Sequence, residues 1–317
     1  MDNYKKLIEL LKEYKKTEFW KIISGDDFFK IKDKEDIFVS VMGQEGIDNS
    51  IAIYRGKDEL ISQLDIAFYE YQFSPDSYNR ISCYKICLED SGNLVMKDDK
   101  KLLKKNKLSS DMVALKLEAG HLPRLVNEEE SLFLIDVVSK IIKISEYYKG
   151  KGLTEPSDKV IDKMYVFDCN DEVSHKKVKF PKLTFKTEKT KKLDQDLVNK
   201  TLIFSQKGTY DVGLFYSPFF IDEEKCYAYM IMVMDNDSKM IIDIKLTSLN
   251  NRSNFQNELL SIFESKKIYP KNISFNGTDV LYLCKDFIKD LKVNFRVNPN
   301  NVDLFEVWVN MYKGLGK

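Results

Sequence analysis

From residue 210 onward, the hydrophobic pattern alternates between the period of a strand and the period of a helix in a fixed order. Three consecutive strand-like segments come first, over 210–221, 226–235 and 240–248, and helix-like and strand-like segments then alternate. The order is β-β-β-α-β-α-β-α. Short turns can join the first three strands as antiparallel neighbours, whereas each later strand follows a helix. The order therefore predicts a mixed sheet with helices covering its faces.

The N-terminal half shows a similar mixture of elements. Leucines at helical spacing predict a helix over 2–15, and segments rich in β-branched and aromatic residues predict strands up to Arg55. The period then changes to that of a helix. From about 187 to 200 the composition becomes polar and charged, which indicates a junction. We therefore predict an α+β protein with an N-terminal domain over 1–155, a hairpin and polar linker over 156–200, and a C-terminal domain over 201–317.

Composition excludes several classes of protein. The 317 residues include 50 basic and 50 acidic side chains, so no net charge draws the whole chain to nucleic acid or to an anionic membrane. Any such partner needs a local patch. The five cysteines form no C-x-x-C pair and there are two histidines, so we expect free thiols, a reducing cytoplasm and no zinc site. No segment is apolar enough to predict a membrane span.

The glycine-containing segment MGQEG, residues 42–46, raises the question of a phosphate-binding loop. Such a loop needs its glycines directly before a helix, where free N–H groups and the helix dipole meet the anion. A strand-like segment follows here, and Glu45 would repel a phosphate. We therefore interpret Gly43 and Gly46 as a bend between two strands. Arg55 is the better candidate for anion binding because it ends a strand just before a helix, although two acidic residues in the first turn of that helix compete with an anion.

In the C-terminal part, the segment MVMDNDSKMI, residues 232–241, places Asp235 in a bend after the second predicted strand. With the strand order, this bend resembles the ribonuclease-H-like fold of integrases and transposases. The resemblance implies metal chemistry by carboxylates on the first strand and at the end of the fourth. Asp211 lies on the first strand, but Phe275 stands at the fourth-strand position and cannot bind magnesium, which leaves Asp279 as a displaced substitute. We favour ordinary turn and surface acids, and the alternative is a magnesium-dependent catalytic site formed by Asp211, Asp235 and Asp279.

The segment HKKVKFPKLTFKTEKTKK, residues 175–192, combines eight lysines with one glutamate and two phenylalanines. Basic side chains interleaved with aromatic rings are typical of surfaces that bind single-stranded nucleic acid. The simpler interpretation, which we favour, is a hairpin arm that runs into a solvated linker. The candidate binding residues of this segment are Lys176, Lys177, Lys179, Phe180, Lys182 and Phe185.

Several short motifs are spread over both halves of the chain. Residues 27–31, 41–43 and 52–56 read DFFKI, VMG and AIYRG, a G-x-x-P loop at 120–123 precedes a glutamate-bearing helix, and a P-x-x-I element lies at 270–273. These motifs resemble a family of uncharacterised bacterial proteins built from two domains of unknown function. Some relatives carry a cysteine-rich metal-binding tail, which VWVNMYKGLGK lacks, so the resemblance implies no zinc. It implies an architecture and no reaction.

These observations favour a cytoplasmic bacterial protein that acts by binding an unidentified protein or nucleic acid, without catalysis or a cofactor. The first alternative is a metal-dependent nuclease of ribonuclease-H-like fold that uses magnesium. The second is a nucleic-acid-binding accessory protein that uses the lysine-rich segment. The deciding feature is the environment of the three candidate acids.

Overall fold

The computed structural model describes residues 1–44, 46, 49–68, 73–89, 94–154, 162–182, 189–221 and 225–315. The chain is an α+β protein that divides into two compact units, each built on one mixed sheet. The first unit comprises Met1–Ile61, Ser82–Glu118 and Pro123–Thr184, and the second comprises Ser62–Ile81, Ala119–Leu122 and Phe185–Lys317. The predicted mixture of helices and strands is confirmed.

The first unit contains an eight-stranded sheet. Its strands are β1 (Phe29–Lys32), β2 (Asp36–Met42), β3 (Ser50–Arg55), β4 (Cys83–Cys87), β5 (Val113–Leu117), β6 (Arg124–Leu125), β7 (Lys163–Asp168) and β8 (Ser174–Lys179). The helices that begin in this unit are α1 (Asp2–Thr17), α2 (Gly56–Phe68), α3 (Lys97–Lys105) and α4 (Glu128–Lys151). The strand order is β6-β5-β4-β3-β2-β1-β7-β8, in which β1 and β7 are parallel and the other neighbours are antiparallel.

The core of the first unit forms between the sheet and the helices α1 and α4. The helix α1 buries one apolar stripe at helical spacing, which consists of Tyr4, Leu7, Ile8, Leu11 and Tyr14. The helix α4 begins with a capping box, because Asn127 accepts a hydrogen bond from the backbone of Glu130 and the Glu130 carboxylate accepts one from the backbone of Asn127. Local sequence signals therefore set both helices.

The bend at Gly43 is confirmed as a strand connection. β2 and β3 are antiparallel neighbours, with Met42 opposite Ser50, so Gly43 directly follows one strand of the pair and the other begins at Ser50. Gly43 has φ 127°, and a side chain there would place Cβ 2.3 Å from Oδ1 of Asn49. Glu45 lies outside the described residues. The local geometry is that of a bend which needs glycine.

The second unit contains a five-stranded sheet. Its strands are β9 (Gln206–Ile221), β10 (Cys226–Asp235), β11 (Ile241–Thr247), β12 (Tyr269–Phe275) and β13 (Asn294–Val297). Its helices include α5 (Gln195–Leu202), α6 (Phe255–Ser265), α7 (Thr278–Leu283), α8 (Lys285–Leu291) and α9 (Val302–Leu315). The strand order is β11-β10-β9-β12-β13, with β10 antiparallel to β9 and β11, and with β12 parallel to β9 and β13.

The two faces of this sheet carry different layers. Tyr210, Val212 and Leu214 of β9 share a core with buried side chains of α6, α7 and α8. On the opposite face, Phe215 of β9 shares a smaller core with methionines of β10 and with Leu304 and Trp308 of α9. The predicted element order is confirmed, except that one expected helix is divided at Cys284 into α7 and α8.

The second unit also includes two segments, 62–81 and 119–122, that we expected in the N-terminal domain. Asp76 is buried and accepts a hydrogen bond from the backbone N–H of Tyr216 in β9 at 2.7 Å. Gly120 accepts one from the backbone N–H of Tyr227 at 2.7 Å. These long-range contacts, rather than chain continuity, join the segments to the second sheet. The domain boundaries placed at 155 and 200 stay a prediction.

Residues 195–200, expected in the polar linker, belong to α5, which continues to Leu202. The Asp194 carboxylate accepts hydrogen bonds from two backbone N–H groups in the first turn, and Val198 is buried. Within the described residues, no helix is long and apolar enough to cross a membrane.

Candidate functional site

The first candidate acid, Asp211, lies on the central strand β9 and is fully buried. Its Oδ2 accepts a hydrogen bond from Nδ2 of Asn236 at 2.6 Å, whereas Oδ1 has no hydrogen-bond partner among the described residues. The neighbours in register are Met234 on β10 and Ser274 on β12. Asp211 therefore keeps one buried oxygen without a hydrogen bond among the described residues.

The second candidate acid, Asp235, ends β10 and organises the turn that follows. Its Oδ1 accepts hydrogen bonds from the backbone N–H of Asp237 at 3.1 Å, and from the backbone N–H and the hydroxyl of Ser238 at 2.7 and 2.9 Å. These bonds, the one from the Ser238 backbone first, hold the pKa of the carboxyl below its usual value. Asp235 thus has a structural role in its own turn.

The third candidate acid, Asp279, lies in the first turn of α7 and forms an ion pair. Its Oδ2 accepts a hydrogen bond from Nη2 of Arg252 at 2.7 Å, and Nη1 of Arg80 lies 3.9 Å from the same oxygen. Arg80 is in turn bound by the buried Asp76, with its Nη2 3.0 Å from Oδ2. The negative charge of the Asp279 carboxylate is therefore balanced by two arginines instead of a metal ion.

Two stacked tyrosines extend this ion-pair network. Arg252 donates a hydrogen bond to the hydroxyl of Tyr229, which donates to the hydroxyl of Tyr216 at 3.0 Å. The two rings stack with their centroids 4.7 Å apart. Burial raises the pKa of the Tyr216 hydroxyl well above its usual value, and the neighbouring Tyr229 adds to the shift. The network is a partly buried structural unit in which charged groups and hydroxyls are hydrogen-bonded to one another.

The structure brings together polar residues that sequence reasoning missed. Asp211 lies on the same sheet face as polar side chains from β9, β12, β13 and the end of β10. Residues paired across neighbouring strands form two rows on this face. We call this surface the polar face, and it consists of Thr209, Asp211, Asn236, Asn272, Ser274, Asn294 and Arg296. The sequence contains one signal for this face, because polar residues stand at every second position in the strand segments KNISFN and VNFRVN. Alternate residues of a strand lie on the same face of a sheet.

Hydrogen bonds link one row of the polar face across three strands. Nδ2 of Asn294 donates to Oδ1 of Asn272 at 3.1 Å, and Nδ2 of Asn272 donates to the hydroxyl of Thr209 at 3.1 Å. The backbone N–H of Asn236 donates to the carbonyl of Thr209 at 2.9 Å. The row is therefore ordered before any ligand binds.

The second row of the polar face is less satisfied. The buried Oγ of Ser274, opposite Asp211, has no hydrogen-bond partner among the described residues. Arg296, opposite Ser274, is exposed and forms no ion pair within the described part of the chain. A hydrogen bond to Asp303 raises the pKa of the nearby Lys239, the charge of Asp211 raises it further, and Arg296 lowers it. The polar face thus combines a buried acid, Asp211, with one exposed cation, Arg296.

The candidate acids do not fit a two-metal site. Asp235 and Asp279 use their carboxylates in a turn and in an ion pair, and the one unbonded oxygen of Asp211 is buried. In the described ranges, no group of three or more His, Cys, Asp or Glu side chains is arranged to hold a metal ion. Two bridged cations need several carboxylate oxygens close together.

Comparisons with known protein families show to which family the chain belongs. Residues 4–163, half of the chain, match the family described as Domain of unknown function (DUF7309). The chain belongs to the DUF7309 family. Residues 199–312 match a second description, Domain of unknown function (DUF6930). Searches of curated proteins and of solved structures gave no match. The expected pair of domains of unknown function is thereby confirmed.

The lysine-rich segment of this DUF7309 protein lies between the two matched regions, and its first part forms β8. Lys176, Lys177, Lys179 and Lys182 are exposed. Phe180 is half-buried, and its ring packs edge-on against Phe28 with centroids 6.0 Å apart. Phe185 lies outside the described residues. Binding by these residues stays a prediction, and Phe180 has a packing role already.

Arg55, within the DUF7309 region, is engaged by neighbouring side chains. Its Nε lies 2.8 Å from the Glu35 carboxylate, and its guanidinium lies 4.9 Å from the ring centroid of Phe133. Its backbone N–H donates to the Glu59 carboxylate at 2.7 Å, which caps α2 internally. The anion-binding role of Arg55 stays a prediction, with an acidic residue already at the helix start.

Proposed function

We propose that this DUF7309 protein acts by binding rather than by hydrolysis, and that its second unit is a ribonuclease-H-like module without a working metal site. The observation that carries the proposal is the ion pair of Asp279 with Arg252, with Arg80 beside it. Releasing Asp279 for a metal would break its ion pair with the partly buried Arg252, which is unfavourable.

The strand arrangement supports the ribonuclease-H-like assignment. The first strand of the unit, β9, lies in the centre, with the antiparallel strands β10 and β11 on one side and the parallel strands β12 and β13 on the other. Phe275 ends β12 and is fully buried in the core, where the resemblance implies a metal-binding acid. A phenyl ring at that position supports a ribonuclease-H-like fold that lacks the metal-binding acid.

Several further features of the proposal rest on chemistry. All five cysteines are free and buried, which supports a reducing compartment, the cytoplasm, as the place of action of a protein that we propose to be bacterial. The proposed partner is a protein or a nucleic acid, and the proposal includes no cofactor. The polar face is the binding surface we propose for the second unit, since Asp211 and Ser274 each keep an unsatisfied buried oxygen.

A nuclease assay tests the proposal. Purified protein is incubated with single- and double-stranded DNA and RNA in magnesium or manganese, beside Asp211→Asn and the matched control Asp237→Asn, whose exposed acid lies in the neighbouring turn. We expect the substrates to stay intact with all three proteins. Cleavage that requires metal and disappears in Asp211→Asn but not in Asp237→Asn would establish the nuclease instead.

A further inference from the structure

The strand β8 forms one edge of the eight-stranded sheet and pairs with β7 alone among the described strands. The backbone N–H of Phe180 donates to the carbonyl of Asp162 at 2.8 Å, so the pair 162/180 is hydrogen-bonded. In an antiparallel ladder, bonded and non-bonded pairs alternate. The N–H and C=O groups of His175, Lys177 and Lys179 therefore point away from β7, towards the open edge.

The charge of this edge has one sign. Lys176, Lys177 and Lys179 are exposed, and none forms an ion pair with a described residue. Lys179 lies directly opposite Lys163 of β7, an arrangement of like charges that is unfavourable in a sheet. Negative charge supplied by a partner would relieve this repulsion. The edge is therefore complementary to an acidic ligand.

The aromatic rings near β8 are already used within the first unit. Phe180 packs against Phe28, Tyr165 is buried with the Lys177 ammonium 5.7 Å from its ring centroid, and His175 packs against Tyr147. Among residues 162–182, no ring is left exposed as a platform on which a base can stack. Within residues 162–182, a nucleic acid would meet the lysines but no exposed ring, whereas a peptide strand would meet both the lysines and the outward-pointing backbone groups.

We propose that β8 binds an extended acidic segment of a partner protein as an additional strand of the sheet. Backbone hydrogen bonds form with His175, Lys177 and Lys179, and carboxylates of the segment lie beside the lysines. The inference rests on the proposed function as a binding protein and names the chemistry of the partner.

The probe is a fluorescently labelled decapeptide of alternating threonine and glutamate, and binding is followed by fluorescence anisotropy. We expect saturable binding that weakens as salt is added, because the lysines contribute by charge. Lys177→Gln removes one charge and keeps the backbone N–H, so affinity should fall about threefold. Lys177→Pro also removes an outward N–H that β7 does not use, so affinity should fall about a further tenfold.

Two measurements keep the result interpretable. Circular dichroism shows whether Lys177→Pro remains folded, and in the wild type the peptide should slow amide hydrogen exchange at 175, 177 and 179 but not at 176 and 178. Absence of saturable peptide binding, equal affinities of the Pro and Gln variants, or unchanged exchange would overturn the proposal. So would tighter binding of a thymidine oligonucleotide that displaces the peptide. The nuclease assay is independent, so failure here with no cleavage leaves the proposed function standing.

Discussion

Asp279 and Arg252 form an ion pair with a 2.7 Å contact between Oδ2 and Nη2, although they lie 27 positions apart in the sequence. Both side chains are less than a third exposed. The pair links the first turn of α7 to the 3-10 helix before α6, and it removes Asp279 from the set of available metal ligands. The energetic coupling of this pair is therefore the first quantity to measure.

A double-mutant cycle with Asp279→Asn and Arg252→Gln should show a coupling of about 1–2 kcal/mol in urea unfolding, because each single change removes one charge of a partly buried ion pair. The exposed pair of Asp98 and Lys101 is the control, with an expected coupling below about 0.5 kcal/mol. Equal coupling in the two pairs would contradict a special role for Asp279.

Asp211→Asn should raise the free energy of unfolding by about 1 kcal/mol. The substitution removes a buried charge whose Oδ1 has no partner, keeps an oxygen for Asn236, and places a donor near the hydroxyl of Ser274. Chemical denaturation measures the change. Asp243→Asn, which loses a surface ion pair with Lys266, is the control and should change stability by less than about 0.5 kcal/mol. A loss of stability in Asp211→Asn would show that the charge holds the fold.

Two buried tyrosines on α1 should respond in opposite directions to replacement by phenylalanine. The Tyr4 hydroxyl accepts a hydrogen bond from the backbone N–H of Ala114 at 3.2 Å, whereas the Tyr14 hydroxyl has no hydrogen-bond partner among the described residues. Tyr4→Phe should cost about 1–2 kcal/mol and Tyr14→Phe should be neutral or stabilising by up to about 1 kcal/mol. Thermal and urea unfolding of the two variants supply the comparison, and equal losses would contradict the difference in bonding.

Alanine substitutions at Gly120 and Gly56 distinguish the cost of backbone strain from the cost of a steric clash. Their φ angles are nearly equal, at 77° and 78°, but a Cβ on Gly120 would lie 2.4 Å from Cε1 of Tyr216, whereas a Cβ on Gly56 meets nothing within 4 Å. Both alanine variants should lose about 1 kcal/mol from strain. Gly120→Ala should lose about 2 kcal/mol more because the Tyr216 ring must shift. Equal unfolding midpoints for the two alanine variants would show that the Tyr216 ring moves aside without a measurable loss of stability.

Short-range pattern in the sequence determined most of the secondary structure. The alternation after residue 210 predicts the order of strands and helices in the second sheet, and the stripe of α1 and the bend at Gly43 follow from local spacing and glycine chemistry. These features depend on side chains a few residues apart, whose relative positions are set by the helical and strand periods.

Tertiary structure alone decided which segments join the second sheet and which acids remain available. Asp76 accepts a hydrogen bond from Tyr216, 140 positions away, and Arg252 forms an ion pair with Asp279. Local spacing in the sequence predicts neither interaction. The polar face likewise depends on strand register, which brings Asp211, Ser274 and Arg296 side by side from three strands. The physical reason is that a side chain's period shows which face it occupies, whereas its partner is chosen by the packing of elements far apart in sequence.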